Sequence, residues 1–192
     1  MRLRDTDKLK RGNLKMKNLS YYAEMVENGE VYYSGTKKVV KANACSIYGL
    51  ALELAVCDYY GLPLTISRAK TNDVIYTDGN GARHFMEVKS NSSPIDGCIG
   101  RSGTIAYVFG VQLNKPLNKQ WGYVLPLKTF MNIGKELNHI KEGTTTGGMA
   151  TVEYKTQTVW NNKKQEPHGT KAYKLEDAYR QAKAKSFEKW FI

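Results

Sequence analysis

The stretch that decides the fold is Asp73-Val74-Ile75-Tyr76-Thr77-Asp78-Gly79-Asn80-Gly81-Ala82-Arg83-His84-Phe85-Met86-Glu87-Val88-Lys89. It opens with a short run rich in β-formers, Asp73 to Tyr76. Asp78-Gly79-Asn80-Gly81 is a turn signal, because glycine and asparagine tolerate the left-handed backbone a tight reversal needs. Arg83 to Lys89 then reads as a second strand. A hairpin symmetric about Asn80 sets residue 73 opposite residue 87, with Cβ atoms about 4.5–5.5 Å apart. Period-two alternation puts Phe85, Glu87 and Lys89 on one face of the second strand, and His84, Met86 and Val88 on the other.

Two carboxylates directly opposed repel unless something compensates them. A hard divalent cation such as Mg²⁺ does so: it takes oxygen ligands, usually one or two carboxylates, and completes its shell with water and substrate phosphate. Lys89 follows on the same face and could orient or help activate a water. An acid-x-Lys triplet alone is weak, since composition predicts about two by chance. Two occur, Glu87-Val88-Lys89 and Glu153-Tyr154-Lys155. Only the first has an upstream strand with an aspartate, because no aspartate lies between Asp96 and Asp177.

Upstream, residues 43–60 follow the 3.6-residue period through Ile47, Leu50, Ala51, Leu54 and Cys57. Leu52, Ala55 and Val56 make this helix apolar on nearly all sides, which predicts burial. Gly61 and Pro63 close it. Glu53 stands at the border of the apolar stripe, from which a helix packed on the sheet could aim it toward Asp73.

Taken together, residues 44–113 resemble the core of the PD-(D/E)XK nuclease superfamily, the restriction-endonuclease-like fold. Asn72-Asp73 stands at the family's Pro-Asp position, with asparagine replacing the proline, and Glu87-Val88-Lys89 at the (D/E)XK position. Glu53 matches the acid often found on the first helix. The resemblance spans about 70 of 192 residues. It implies a central mixed β-sheet flanked by helices and a Mg²⁺-dependent DNA endonuclease, with Mn²⁺ as a possible substitute. Asp73 and Glu87 would be metal ligands, with Glu53 a further one through water, and Lys89 would act in catalysis. It also implies restriction, or processing of phage or branched DNA, and a possible homodimer. The alternative is a catalytically silent DNA-binding protein on the same fold.

Composition agrees with a nucleic-acid partner. The chain of 192 residues carries 29 Lys and Arg against 18 Asp and Glu, a net charge of +11. Such an excess suggests a polyanion. Residues 1–17 hold seven of the basic residues and form a candidate phosphate-contacting arm ahead of a single nuclease domain. Arg101, Lys115, Lys128 and the Ser90-Asn91-Ser92-Ser93 run are further candidates for phosphate contact. Three cysteines (Cys45, Cys57, Cys98) in no C-x-x-C pair argue against a disulfide framework or zinc site and suggest a reducing cytosol. No stretch approaches the ~18 apolar residues of a membrane span, and the charged N-terminus lacks the apolar run of a secretory signal. His84, His139 and His168 are scattered, and Asp78 reads as a turn former.

The remaining pattern is α/β. Residues 18–28 suggest a helix ended by Asn28-Gly29, Thr104 to Leu113 a central strand, and Trp121 to Leu125 another. A helix is expected from Leu127 to about Lys141, a loop over Gly143–Gly148, a strand over 151–160, and a basic amphipathic helix from Leu175 to Phe191.

Overall fold

The computed structural model describes residues 16–43, 46–68, 72–90, 103–109, 111–137, 140–142, 150–152 and 177–187. Most of the basic arm, the loop after Ser90, Arg101, Cys45, Cys98, His139, His168, the Gly143–Gly148 loop and the Glu153 triplet lie outside them. The chain divides into two compact units. One comprises Met1–Val88, Gln112–Gln120 and Phe187–Ile192; the other comprises Lys89–Val111 and Trp121–Ser186.

The first unit is built on two helices, α1 (Leu19–Glu27) and α2 (Ile47–Tyr59), packed on each other. The α2 helix buries Ala51, Leu52, Leu54, Ala55, Val56 and Cys57, as expected of a helix apolar on nearly all sides. From α1, Leu19, Tyr22, Ala23 and Val26 are buried, and the Tyr22 hydroxyl donates to the Asp58 carboxylate on α2. Both helices stop at a glycine in the left-handed region. At α2, Gly61 (φ 63°) donates its N–H to the Asp58 carbonyl, and Leu62 donates to that of Cys57. At α1, Gly29 (φ 71°) donates to Val26 and Glu30 to Met25. These paired bonds satisfy the last carbonyls of each helix, in a conformation that costs a side chain most and glycine least. The start of α1 is satisfied differently. Asn18 makes no side-chain cap, and the N–H groups of Leu19 and Ser20 donate to the carbonyls of Lys115 and Leu113. That loop is held by the buried Gln120, whose amide accepts the Gln112 N–H and donates to the carbonyls of Gln112 and Lys115.

Two short strands, β1 (Tyr32–Tyr33) and β2 (Thr65–Ile66), pair in parallel. The expected hairpin is present as β3 (Val74–Thr77) and β4 (Arg83–Ser90), antiparallel. The division between the two units falls within β4, after Val88.

The second unit contains β5 (Thr104–Val108) and β6 (Gly122–Pro126), antiparallel, and β9 (Lys185–Ser186) on the other side of β6. Helix α3 (Leu127–Glu136) follows β6 without a loop. It lays Leu127, Phe130, Met131 and Ile133 on Ile105, Tyr107, Phe109, Tyr123 and Leu125, with Tyr179 closing the cluster. Phe130 and Tyr179 stack with ring centroids 5.5 Å apart. Strands β7 (Ile140–Glu142) and β8 (Ala150–Val152) pair antiparallel.

The chain is therefore α/β, and several boundaries differ from the sequence expectation. The strand from Thr104 ends at Val108, and the helix from Leu127 ends at Glu136. Among the described residues of 175–191, helix covers 177–181. Lys183 then turns into the left-handed region (φ 58°), and Lys185–Ser186 joins the sheet edge.

Candidate active site

The hairpin turn is fastened by one side chain. Asp78 Oδ1 accepts the N–H groups of Asn80 (2.9 Å) and Ala82 (3.0 Å), and Gly81 supplies the left-handed residue (φ 84°). Asp78 Oδ2 lies 2.8 Å from His84 Nε2. The His84 contact first, then the two backbone donors, hold the Asp78 carboxyl below its ordinary range. Asp78 is thus the turn former its sequence context suggests.

This turn fixes the register Val74↔Met86, Ile75↔Phe85, Tyr76↔His84 and Thr77↔Arg83, symmetric about Asn80 as expected. One face carries a stack in which Tyr76 lies between Tyr60, from the end of α2, and His84, each 4.8 Å away by ring centroids. Alternation sends Phe85, Glu87 and Lys89 to the other face. The Arg83 guanidinium sits over the Phe85 ring at 5.2 Å.

At Asp73 the ladder departs from the simple register. Its N–H donates to the Met86 carbonyl (3.1 Å), one residue short of the partner that symmetry assigns. Its carboxylate Oδ2 accepts the Val88 N–H at 2.8 Å. The Asp73 carboxylate therefore lies against the β4 backbone at Val88. Glu87 itself is 3% exposed. A carboxylate at that depth requires hydrogen bonds or a cation to offset lost hydration. Asp73 and Lys89 are half-buried.

Glu53 is half-buried on α2, flanked by buried Leu52 and Leu54. Its charge faces Cys57 one turn on. Burial, then Glu53, then Asp58 push the Cys57 thiol up to about 12, consistent with a packing role. Among the described residues no group of three or more His, Cys, Asp and Glu could hold a metal ion, so Glu53 is not gathered with Asp73 and Glu87 into such a set. Mg²⁺ usually binds through one or two carboxylates, the donor type that Asp73 and Glu87 offer. Lys115 is half-buried, and Lys128 is exposed on the first turn of α3.

Sequence reading gives Lys37, Lys38 and Lys41, ahead of α2, and Arg68 no role. No helix among the described residues is long and apolar enough to cross a membrane. No family model, curated protein or solved structure matches the chain.

Proposed function

We propose that this protein is a metal-dependent DNA endonuclease with a restriction-endonuclease-like core, its active site on the β3–β4 hairpin. The observation that supports the reading is the Asp73 carboxylate hydrogen-bonded to the Val88 N–H, the middle residue of the Glu87-Val88-Lys89 triplet. Asp73 and Glu87 are the residues that would hold Mg²⁺. When bound, the ion supplies Lewis acidity toward a phosphate. Val88 fixes the Asp73 carboxylate without consuming its charge. Burial of Glu87 keeps its carboxylate in a low-dielectric setting, where charge interactions are stronger than in water. Lys89 orients the attacking water and offsets negative charge that builds on the phosphate. A catalytically silent DNA-binding protein on the same fold is the second reading.

The test is incubation of the purified protein with supercoiled, linear and branched DNA, with Mg²⁺ and with EDTA. The nuclease reading expects Mg²⁺-dependent nicking that EDTA abolishes. DNA binding with no cleavage under either Mg²⁺ or Mn²⁺ would establish the second reading instead.

A further inference from the structure

Strand β1 lies in the middle of a small ribbon. Tyr32 pairs with Val39 in antiparallel fashion on one side and with Thr65 in parallel on the other. The turn joining β1 to Val39 is closed by Tyr33 N–H to the Lys38 carbonyl (3.0 Å) and Val40 N–H to the Val31 carbonyl (2.8 Å). Thr36 stiffens it: its hydroxyl donates to the Tyr33 carbonyl (3.0 Å) and accepts the Lys38 N–H (3.1 Å). The reversal passes through Gly35 at φ 70°. Lys37 and Lys38 are thereby held exposed on a fixed turn. Just past β2, Arg68 is exposed and lies over the half-buried Tyr33 ring, 5.6 Å from its centroid. Tyr32 is 43% exposed.

Past Glu30, charge along these segments has one sign. Residues 31–52 contain Lys37, Lys38 and Lys41 and no Asp or Glu; residues 59–72 contain Arg68 and Lys70 and no acid. Among the described residues, Lys37, Lys38, Lys41 and Arg68 make no ion pair. Three cations, Lys37, Lys38 and Arg68, near the exposed Tyr32 and the half-buried Tyr33 complement a chain of phosphates that also offers aromatic faces. A duplex hides its base faces, whereas a single strand presents them.

We propose that this ribbon is a docking surface for single-stranded DNA, with Lys37, Lys38 and Arg68 on phosphates and the Tyr33–Arg68 pair against a base. The proposal rests on the DNA reading above and names the part of the chain that holds the strand.

The probe is a fluorescein-labelled oligothymidylate of 20 nucleotides, titrated by anisotropy against the full chain over a range of salt. Lys37→Glu/Lys38→Glu/Arg68→Glu should weaken binding at least 10-fold. Losing three phosphate contacts should flatten the log–log salt slope by about 2, at roughly 0.7 per contact on a single strand. Lys119→Glu/Lys135→Glu/Lys185→Glu, an equal charge change at exposed positions elsewhere, should cost less than 3-fold. Lys37→Glu/Lys38→Glu, which leaves the Tyr33–Arg68 contact in place, should fall between, and thermal melting checks that each variant folds. Tyr33→Leu should weaken the oligothymidylate about 5-fold and leave duplex binding unchanged, while Tyr33→Phe stays within 2-fold of wild type. A triple variant that binds like wild type, or a Tyr33→Leu effect equal on duplex and single strand, overturns the surface. If the wild type nicks plasmid while the triple variant binds normally, only the surface fails. If the wild type binds no DNA, the DNA reading fails with it.

Discussion

Val88 donates its backbone N–H to the Asp73 carboxylate, and that bond determines how Asp73 can be tested. Asparagine keeps an acceptor oxygen for Val88 and removes the charge, so Asp73→Asn should preserve the hairpin while deleting the proposed metal ligand. Glu87→Gln does the same at a buried position with little change in volume. Each should lower Mg²⁺-dependent nicking at least ~100-fold, about 2.7 kcal/mol of transition-state stabilisation. DNA binding should stay intact or tighten, because a negative charge beside the phosphate has gone. Isothermal titration should show weaker Mg²⁺ or Mn²⁺ binding in both, and Glu153→Gln, in the second acid-x-Lys triplet, should cleave normally. Wild-type nicking by either variant would remove the hairpin from catalysis. Lys89 poses a separate question, since an ammonium is no metal ligand. Lys89→Met keeps most of the stem, so fold, metal and DNA binding should survive while single-turnover cleavage slows at least ~100-fold. A lysine that merely made a surface ion pair would contribute about 0–1 kcal/mol to stability and nothing to the rate. A rate within threefold of wild type would show that role for Lys89.

At the scale of the element, Asp78 fastens the turn of the β3–β4 hairpin. The His84 contact and two backbone donors lower the Asp78 carboxyl in the native state. A lowered native value means that the charged form contributes stability above the unfolded value near 4, and that this is lost as pH falls through the native value. Asp78→Ala should therefore lower the urea midpoint at pH 6, and the gap from wild type should narrow near pH 2.5. A gap equal at both pH values would show that Asp78 acts through its size and not its charge. The hairpin was legible because its information is local: Asp78, Asn80 and Gly81 specify the turn, the turn specifies the register, and alternation assigns the faces. The α2 helix was legible for a similar reason, since few of its residues suit solvent and Gly61 marks its end. The departure at Asp73 was not, because a side chain accepting a ladder N–H leaves no trace in hydropathy. Nor was the strand at Lys185–Ser186 legible. The segment keeps a helical polarity pattern, but Lys183 enters the left-handed region, where lysine gives no warning, and two-residue pairing is set by the neighbouring strand. Strands β1 and β2 are equally short, which is why the cationic ribbon around Tyr33 escaped notice. The signal available was the run from 31 to 52 without an acid. In the site, Glu87 and Lys89 could be set on one strand from alternation, whereas the offset of Asp73 and the place of Glu53 depended on how the chain packs.

For the molecule as a whole, a net charge of +11 bears on association and not on fold. Charge in excess by that amount favours a polyanion through release of its condensed counterions, so affinity for DNA should fall steeply with salt. If about five phosphates of a duplex are neutralised, the log–log slope of the binding constant against salt should be near −4 to −5. Different segments should contribute separable parts of that slope, because phosphate contacts at distant positions act nearly independently. Residues 2–15 carry six Lys and Arg against two Asp, and their removal stops short of Asn18, which is bridged to Pro116. That truncation should leave thermal stability within a few degrees of the full chain and flatten the slope by about 2, one unit for each phosphate released. Nicking at low salt should persist, since none of Asp73, Glu87 and Lys89 is touched, and the loss should grow as salt is raised. The decisive measurement is anisotropy of a labelled duplex from low to moderate ionic strength, with both proteins in parallel. Equal slopes would place the arm's charge away from DNA. A full-length slope near zero would mean that the basic excess does not serve phosphate binding at all.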